Sequence, residues 1–226
     1  MVIYKRSSLY RPLLAVFLIS MGVLGRIFLS DFLPGLPSYS FTLNGITQPV
    51  FMADMFFWVA AIALISGLLL GGYYTLIVPL GILFISDLYY GNNSIFLFTW
   101  SGFVLLGLLG YFAKKRVPFT VKSIFPVMGL GIGGVLLYDL WTNFGCWLIW
   151  YPPTPSGFLT CYILALPFTI WHILSTLLIL PLLYLSVIAV THMKGTDRHI
   201  TITPLEKYVT LSASSILIIA SFLFVL

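Results

Sequence analysis

Residues 50–70 read VFMADMFFWVAAIALISGLLL, and Gly71-Gly72 follow at once. Apart from Asp54 the run carries no charge. A helix needs about 20 mostly apolar residues to cross the hydrocarbon core of a bilayer, so this run is a membrane span with one carboxyl group in it. Backbone polar groups in hydrocarbon must be satisfied within the segment, which makes the span helical. The two glycines then form a tight turn into the next apolar run.

The same reading, carried outward, gives spans at Pro12–Leu29, Tyr73–Leu88, Ile95–Phe112, Ser123–Thr142, Ile163–Val190 and Tyr208–Leu226. The span Tyr73–Leu88 contains Pro79, and Ile163–Val190 contains Pro167 and Pro181. Each proline removes a backbone donor and predicts a kink. Composition agrees: 60% of the chain is hydrophobic and 8% charged, against about 25% charged in soluble domains. The expected fold is an all-α membrane bundle of about seven transmembrane helices, a single domain over residues 1–226. Its core covers about 12–190, and an extra helix at 208–226 follows the polar segment Lys194–Lys207. The first run follows Lys5, Arg6 and Arg11, as a signal peptide would, but no small-x-small cleavage site follows it, so it is read as a retained helix.

Basic residues set the orientation. With the amino terminus in the cytoplasm, the inner segments hold Lys5, Arg6, Arg11, Lys114, Lys115, Arg116, Lys122, Lys194, Arg198 and Lys207, and the outer loops hold none. Short loops rich in Lys and Arg stay inside. The expected location is the plasma membrane, with the carboxyl terminus outside. The net charge of +5 therefore reflects topology, and the chain has no basic stripe of the kind that binds nucleic acid.

Four of the six acids, Asp31, Asp54, Asp87 and Asp139, fall near the outer ends of predicted helices, at about the depth of Arg26. Asp87 and Asp139 fall near carboxyl ends, where the macrodipole is already negative, and Arg26 is an available partner. Asp31 and Asp87 also fit an interfacial role in which the side chain reaches water. Asp54 and Asp139 lie deeper and fit a functional group or a structural ion pair. His172 fits a proton relay, a substrate contact or a plain interhelical hydrogen bond.

Residues 141–162, WTNFGCWLIWYPPTPSGFLTCY, read as a stiff, lid-like interfacial loop. Within it Asn143, four residues after Asp139, shares its face if the helix continues that far. Cys146 and Cys161 bracket the loop and read equally as a disulfide or as free buried thiols. Asn92-Asn93-Ser94 matches a glycosylation sequon. Gly67-x-x-x-Gly71 and Gly129-x-x-x-Gly133 permit close helix approach or a partner surface. There is no phosphate-binding glycine loop, no metal-binding His/Glu pair and no nucleophile beside a base. No cofactor, metal site or enzymatic activity is expected.

Two segments carry a resemblance. One is Val78-Pro79-Leu80 with Ser86-Asp87-Leu88 and Gly91. The other is Thr142-Asn143-Phe144-Gly145-x-Trp147, then Tyr151-Pro152, Gly157, Cys161-Tyr162 and Ala165-Leu166-Pro167-Phe168. Over roughly residues 45–180 they resemble a family of small prokaryotic membrane proteins of unknown function. That family is in turn similar to the substrate-binding S-components of energy-coupling factor transporters. The resemblance implies a six-helix core that binds a vitamin-like solute near its outer face, reoriented by an ATP-driven energising module. It also implies that Asp87, Asn143, Trp147 and Tyr151 lie at or over the solute. The usual Ala-x-x-x-Ala docking pattern of helix one is replaced here by Ala15-x-x-x-Ile19.

The expected function is thus a solute-binding or uptake component. Arg26, Asp54, Asp87, Asp139 and His172 line its polar layer, Asn143 and Trp147 touch solute, and Tyr151 lies in a gating segment. Ionised acids would favour a cationic or zwitterionic solute. The alternative is a structural or accessory subunit of a larger membrane complex, in which glycine faces are contact surfaces and the polar layer fixes helix register.

Overall fold

A computed structural model of the chain describes residues 10–31, 37, 39–50 and 57–192. Among them are six α-helices and one hairpin: α1 (Tyr10–Asp31), β1 (Tyr39–Leu43), β2 (Ile46–Val50), α2 (Trp58–Leu69), α3 (Tyr74–Tyr90), α4 (Phe96–Ala113), α5 (Ile124–Trp150) and α6 (Pro155–His192). The predicted seventh span, Tyr208–Leu226, lies outside the described residues, as does Asp54. Four helical stretches are long and apolar enough to cross a membrane, at Arg11–Phe28, Phe96–Ala113, Val121–Trp150 and Pro155–Ala189.

The segment that opened the sequence reading is not one long span. Residues through Val50 form the second strand, and the helix begins only at Trp58. At 1.5 Å per residue α2 is ~18 Å long, short of the ~30 Å hydrocarbon thickness. It succeeds because it is central. Ten of its twelve residues are buried, and it touches every other helix. Its closest neighbour is α4. A methyl group on Gly67 would fall 2.0 Å from the Gly107 carbonyl oxygen, and one on Gly110 would fall 2.3 Å from that of Leu64. The two backbones are in contact, as small residues allow.

Leu70 and Gly71 at the carboxyl end of α2 are buried, and two cations reach it. Lys114 Nζ donates to the carbonyls of Leu69 (2.9 Å) and Leu70 (3.1 Å), and Arg11 donates to Leu70 as well. Positive charge at a helix carboxyl end is favourable, and the orphan carbonyls gain donors. Arg11, Lys114, Lys115, Arg116 and Lys122 therefore gather at one end of the bundle, here the basic end.

The hairpin stands at the opposite end. Asn44 and Gly45 both adopt positive φ (52° and 78°) between Leu43 and Ile46, the conformation that an Asn-Gly hairpin turn requires. Asn44 Nδ2 donates to Thr160 Oγ1 (2.8 Å), which ties the turn to α6.

The predicted lid is mostly helix. α5 continues through Trp141, Asn143 and Trp147 to Trp150, leaving only Tyr151–Thr154 as connection. The prolines serve to start α6: Pro155 takes its first position, where a missing N–H costs nothing, and Thr154 Oγ1 caps the Gly157 N–H at 3.0 Å. Pro167 and Pro181 lie inside α6, which runs on as one helix through both.

Candidate functional site

Two polar pairs lie side by side across α4. The first joins α1 to α3. Arg26 donates to Asp87 Oδ1 and to Ser86 Oγ, while Trp100 Nε1 donates to Asp87 Oδ2 at 2.8 Å. Both carboxylate oxygens are engaged. The guanidinium also stands over the Tyr90 ring, 5.6 Å from its centre. Asp87 is thus buried with a full set of partners, which replaces the reading of it as an interfacial side chain. A buried ion pair needs such extra hydrogen bonds to offset the loss of water.

The second pair joins α5 to α6. His172 Nδ1 lies 2.8 Å from Asp139 Oδ1. Asp139 stands eleven residues before Trp150, the last residue of α5, or ~16 Å from that helix end at the helical rise. The expectation that it sits at a carboxyl terminus is therefore corrected: the helix runs further than its apolar pattern, and the macrodipole has little hold on a mid-helix residue. Arg26 serves Asp87 rather than Asp139. The two pairs share a level, since Trp100 binds Asp87 and, two residues on, Gly102 abuts Tyr138, the neighbour of Asp139.

Asp139 is 5% exposed, and its Oδ2 is buried with no hydrogen-bond partner among the described residues. Aromatic rings surround the pair. Phe57 stacks on the His172 imidazole, with ring centres 4.0 Å apart and planes 19° apart. Phe57 also meets Tyr138 (4.9 Å) and Phe103 (5.3 Å), and those two meet each other at 4.6 Å. The Phe57 N–H donates to Ser175 Oγ at 2.7 Å, which fixes the start of α2 against α6.

Of the other residues singled out by resemblance, Asn143 and Trp147 lie higher on α5 and Tyr151 just past its end. Asn143, Trp147 and Tyr151 recur every four positions. Trp147 Nε1 donates to the Pro152 carbonyl (3.1 Å) and packs edge-on against Phe158 (5.3 Å). The Asn143 carbonyl accepts from the Cys161 thiol at 3.4 Å. Burial pushes the Tyr151 hydroxyl up to about 12, so it remains protonated. Cys146 and Cys161 are both free, and the disulfide alternative is not formed. The structure therefore brings together Arg26 with Asp87 and Asp139 with His172, and sets Asn143 one turn above Asp139. It does not join Trp147 or Tyr151 to either pair.

Among the described residues, no solute-sized cavity opens at the pairs. One turn toward the basic end, an apolar crevice lined by Ala60, Leu64, Leu106, Val135 and Thr176 has no room for a water molecule. Sequence reasoning missed Phe57, Trp100 and Tyr138. Trp100 had a signal, because a buried indole N–H demands an acceptor. Phe57 had none, being one aromatic among several in a run read as helix.

The model of a family of unknown function, DUF6580, matches residues 6–196. No curated protein and no solved structure matches the chain.

Proposed function

The chain belongs to the DUF6580 family of unknown function, and we propose that it is a membrane-embedded component that binds a small solute for uptake. The observation that carries this reading is Asp139. Its Oδ2 is a buried acceptor with nothing to accept from among the described residues, beside an imidazole and under aromatic walls. A buried group left in that state costs free energy, and ionisable groups inside membrane segments commonly mark a substrate or ion route. Ligand sites likewise combine aromatic walls with few polar anchors. The likeness to S-components belongs to this proposal, as does the orientation. The basic end faces the cytoplasm, and the hairpin and the α5–α6 connection face outward. The protein works by binding and conformational change, without chemistry on the solute.

The test is thermal unfolding of the detergent-purified protein against a panel of vitamins, amino acids, amines and organic acids. Ligands that bind only the folded state raise the melting temperature. A solute that stabilises the parent and loses that effect in Asp139→Asn supports the proposal. A panel without any effect, on the parent or the variant, defeats it.

One observation favours an accessory subunit instead. Methyl groups on Gly129 and Gly133 would meet nothing within 4 Å, so this glycine face of α5 is open. Stoichiometric co-purification of another membrane protein, lost in Gly133→Ile, would decide for that reading.

A further inference from the structure

The solute-binding reading leaves the class of solute open between cationic and zwitterionic, and this inference rests on that reading. A zwitterion needs a cation for its acidic group as well as Asp139 for its basic one. Arg26 is the one Lys or Arg within a described membrane span on the hairpin side of the bundle, and it is already committed to Asp87, Ser86 and the face of Tyr90. The other described cations stand at the basic end, where Arg11 and Lys114 hold the carbonyls of α2. Around Asp139 the described groups are His172 from α6, Tyr138 beside it on α5, and the rings of Phe57 and of Phe103 from α4. α2 brings no titratable group to the site. Among the described residues, a carboxylate on the solute would find no guanidinium or ammonium there that is not already paired.

What the site does offer is one unpartnered carboxylate oxygen and several aromatic faces. The oxygen calls for an N–H donor. The faces attract positive charge through the ring quadrupole. Phe57 fills the space over His172 in this structure, and its ring belongs to the residue just before α2, where the backbone has left the helix. A ligand over the imidazole would take the space that this one ring now fills.

We infer that the solute is a protonated amine that carries at least one N–H, taking the place of the Phe57 ring over His172 and donating to Asp139 Oδ2. Primary and secondary ammonium ions fit. Quaternary ammonium ions lack the donor, and carboxylates lack a counter-ion.

The experiment uses cavity rescue. Phe57→Ala removes a phenyl ring, and an apolar void of about that size takes up aromatic guests. Benzylammonium, benzyltrimethylammonium, toluene and benzoate are compared by melting temperature on the parent, Phe57→Ala and Phe57→Ala/Asp139→Asn. Benzylammonium should raise the melting temperature of Phe57→Ala by about 4 °C more than toluene does. That excess should vanish in the double variant and be absent for benzyltrimethylammonium. Phe57→Leu repeats the comparison if the alanine variant does not fold, and simple amines on the parent give the same ranking independently. Equal rescue by toluene and benzylammonium, or an excess that survives Asp139→Asn, overturns the inference. Stabilisation of the parent by an organic acid or neutral solute, dependent on Asp139, overturns the amine class and leaves the binding reading standing. Silence of every solute on every variant removes both.

Discussion

Alanine at Gly67 would place its methyl carbon 2.0 Å from the Gly107 carbonyl oxygen and 2.8 Å from the Tyr111 nitrogen. All three nearest atoms are backbone, so no side chain can swing aside. Real Cβ contacts begin near 3.0 Å, and α2 and α4 must therefore move apart by about an ångström. A gap of ~0.5–1 Å forfeits a quarter to a half of each dispersion contact along the interface, and overpacking of a tight core costs ~1–3 kcal/mol. Against this, alanine is the better helix former by ~1 kcal/mol. With backbone on both sides the steric cost belongs at the upper end, so Gly67→Ala should lose ~2 kcal/mol net. In a domain of this size that is ~4–8 °C in melting temperature. Gly133→Ala is the internal control, because its methyl meets nothing within 4 Å and only the propensity gain of ~1 kcal/mol remains. Unfolding of both variants in one detergent, followed by tryptophan fluorescence, should give shifts of opposite sign. Equal shifts, or a Gly67→Ala as stable as the parent, would refute the contact between these helices.

The two polar pairs give further tests by thermal unfolding. Asp87→Leu strands Arg26 and the Trp100 indole and should cost ~3 kcal/mol, the low end for a broken buried pair, because the Arg26 side chain is 31% exposed. Arg26→Met added to it should recover most of that loss, and additive losses would show that the pair is not coupled. His172→Phe keeps a ring for Phe57 to stack on but leaves Asp139 without its remaining bond, at ~1–3 kcal/mol; Asp139→Leu in the same chain should restore stability, and further loss would contradict the geometry. For Tyr151, the folded protein holds the neutral hydroxyl up to about 12 from an ordinary 10.0. The folded state then binds more protons than the unfolded state between those values, so stability falls as pH rises through that window. Tyr151→Phe should flatten the decline, and an unchanged alkaline profile would count against the burial of this side chain.

Much of the architecture was readable because lipid imposes a simple code. Apolar runs bounded by Gly71-Gly72, Gly91 and the Lys114–Arg116 cluster marked helices, and most starts fell within a residue or two. Two errors share one cause. Apolar content says that a segment is buried but not what shape it has, so Val50 was read into a helix when it ends a strand. The Asn44-Gly45 dipeptide is a hairpin signal that the reading of the apolar run left unused. Likewise Trp141–Trp150 suits an interface or a helix equally, and only the cap at Thr154 with Pro155 at the first helical position shows where the turn lies. Asp139, His172 and Arg26 were legible as unusual residues. Their pairing was not, because partners 33 or 61 positions apart meet only through helix rotation, which the nearly uniform hydrophobicity of these helices leaves unspecified.

The brevity of α2 bears on how the chain enters its membrane. Twelve residues cannot hold a bilayer unaided, and the last carbonyls of this helix are satisfied by Arg11, which precedes it, and by Lys114, which is made some 45 residues later. Until α4 emerges from the ribosome, α2 lacks both the glycine-lined neighbour it rests on and half of its terminal donors. The centre of the finished bundle thus waits for a helix made two elements later before it is secured. A nascent chain halted before α4 has emerged would leave α2 exposed to extraction and to membrane quality-control proteases, whereas one halted once α4 and Lys114 have cleared the ribosome would retain it.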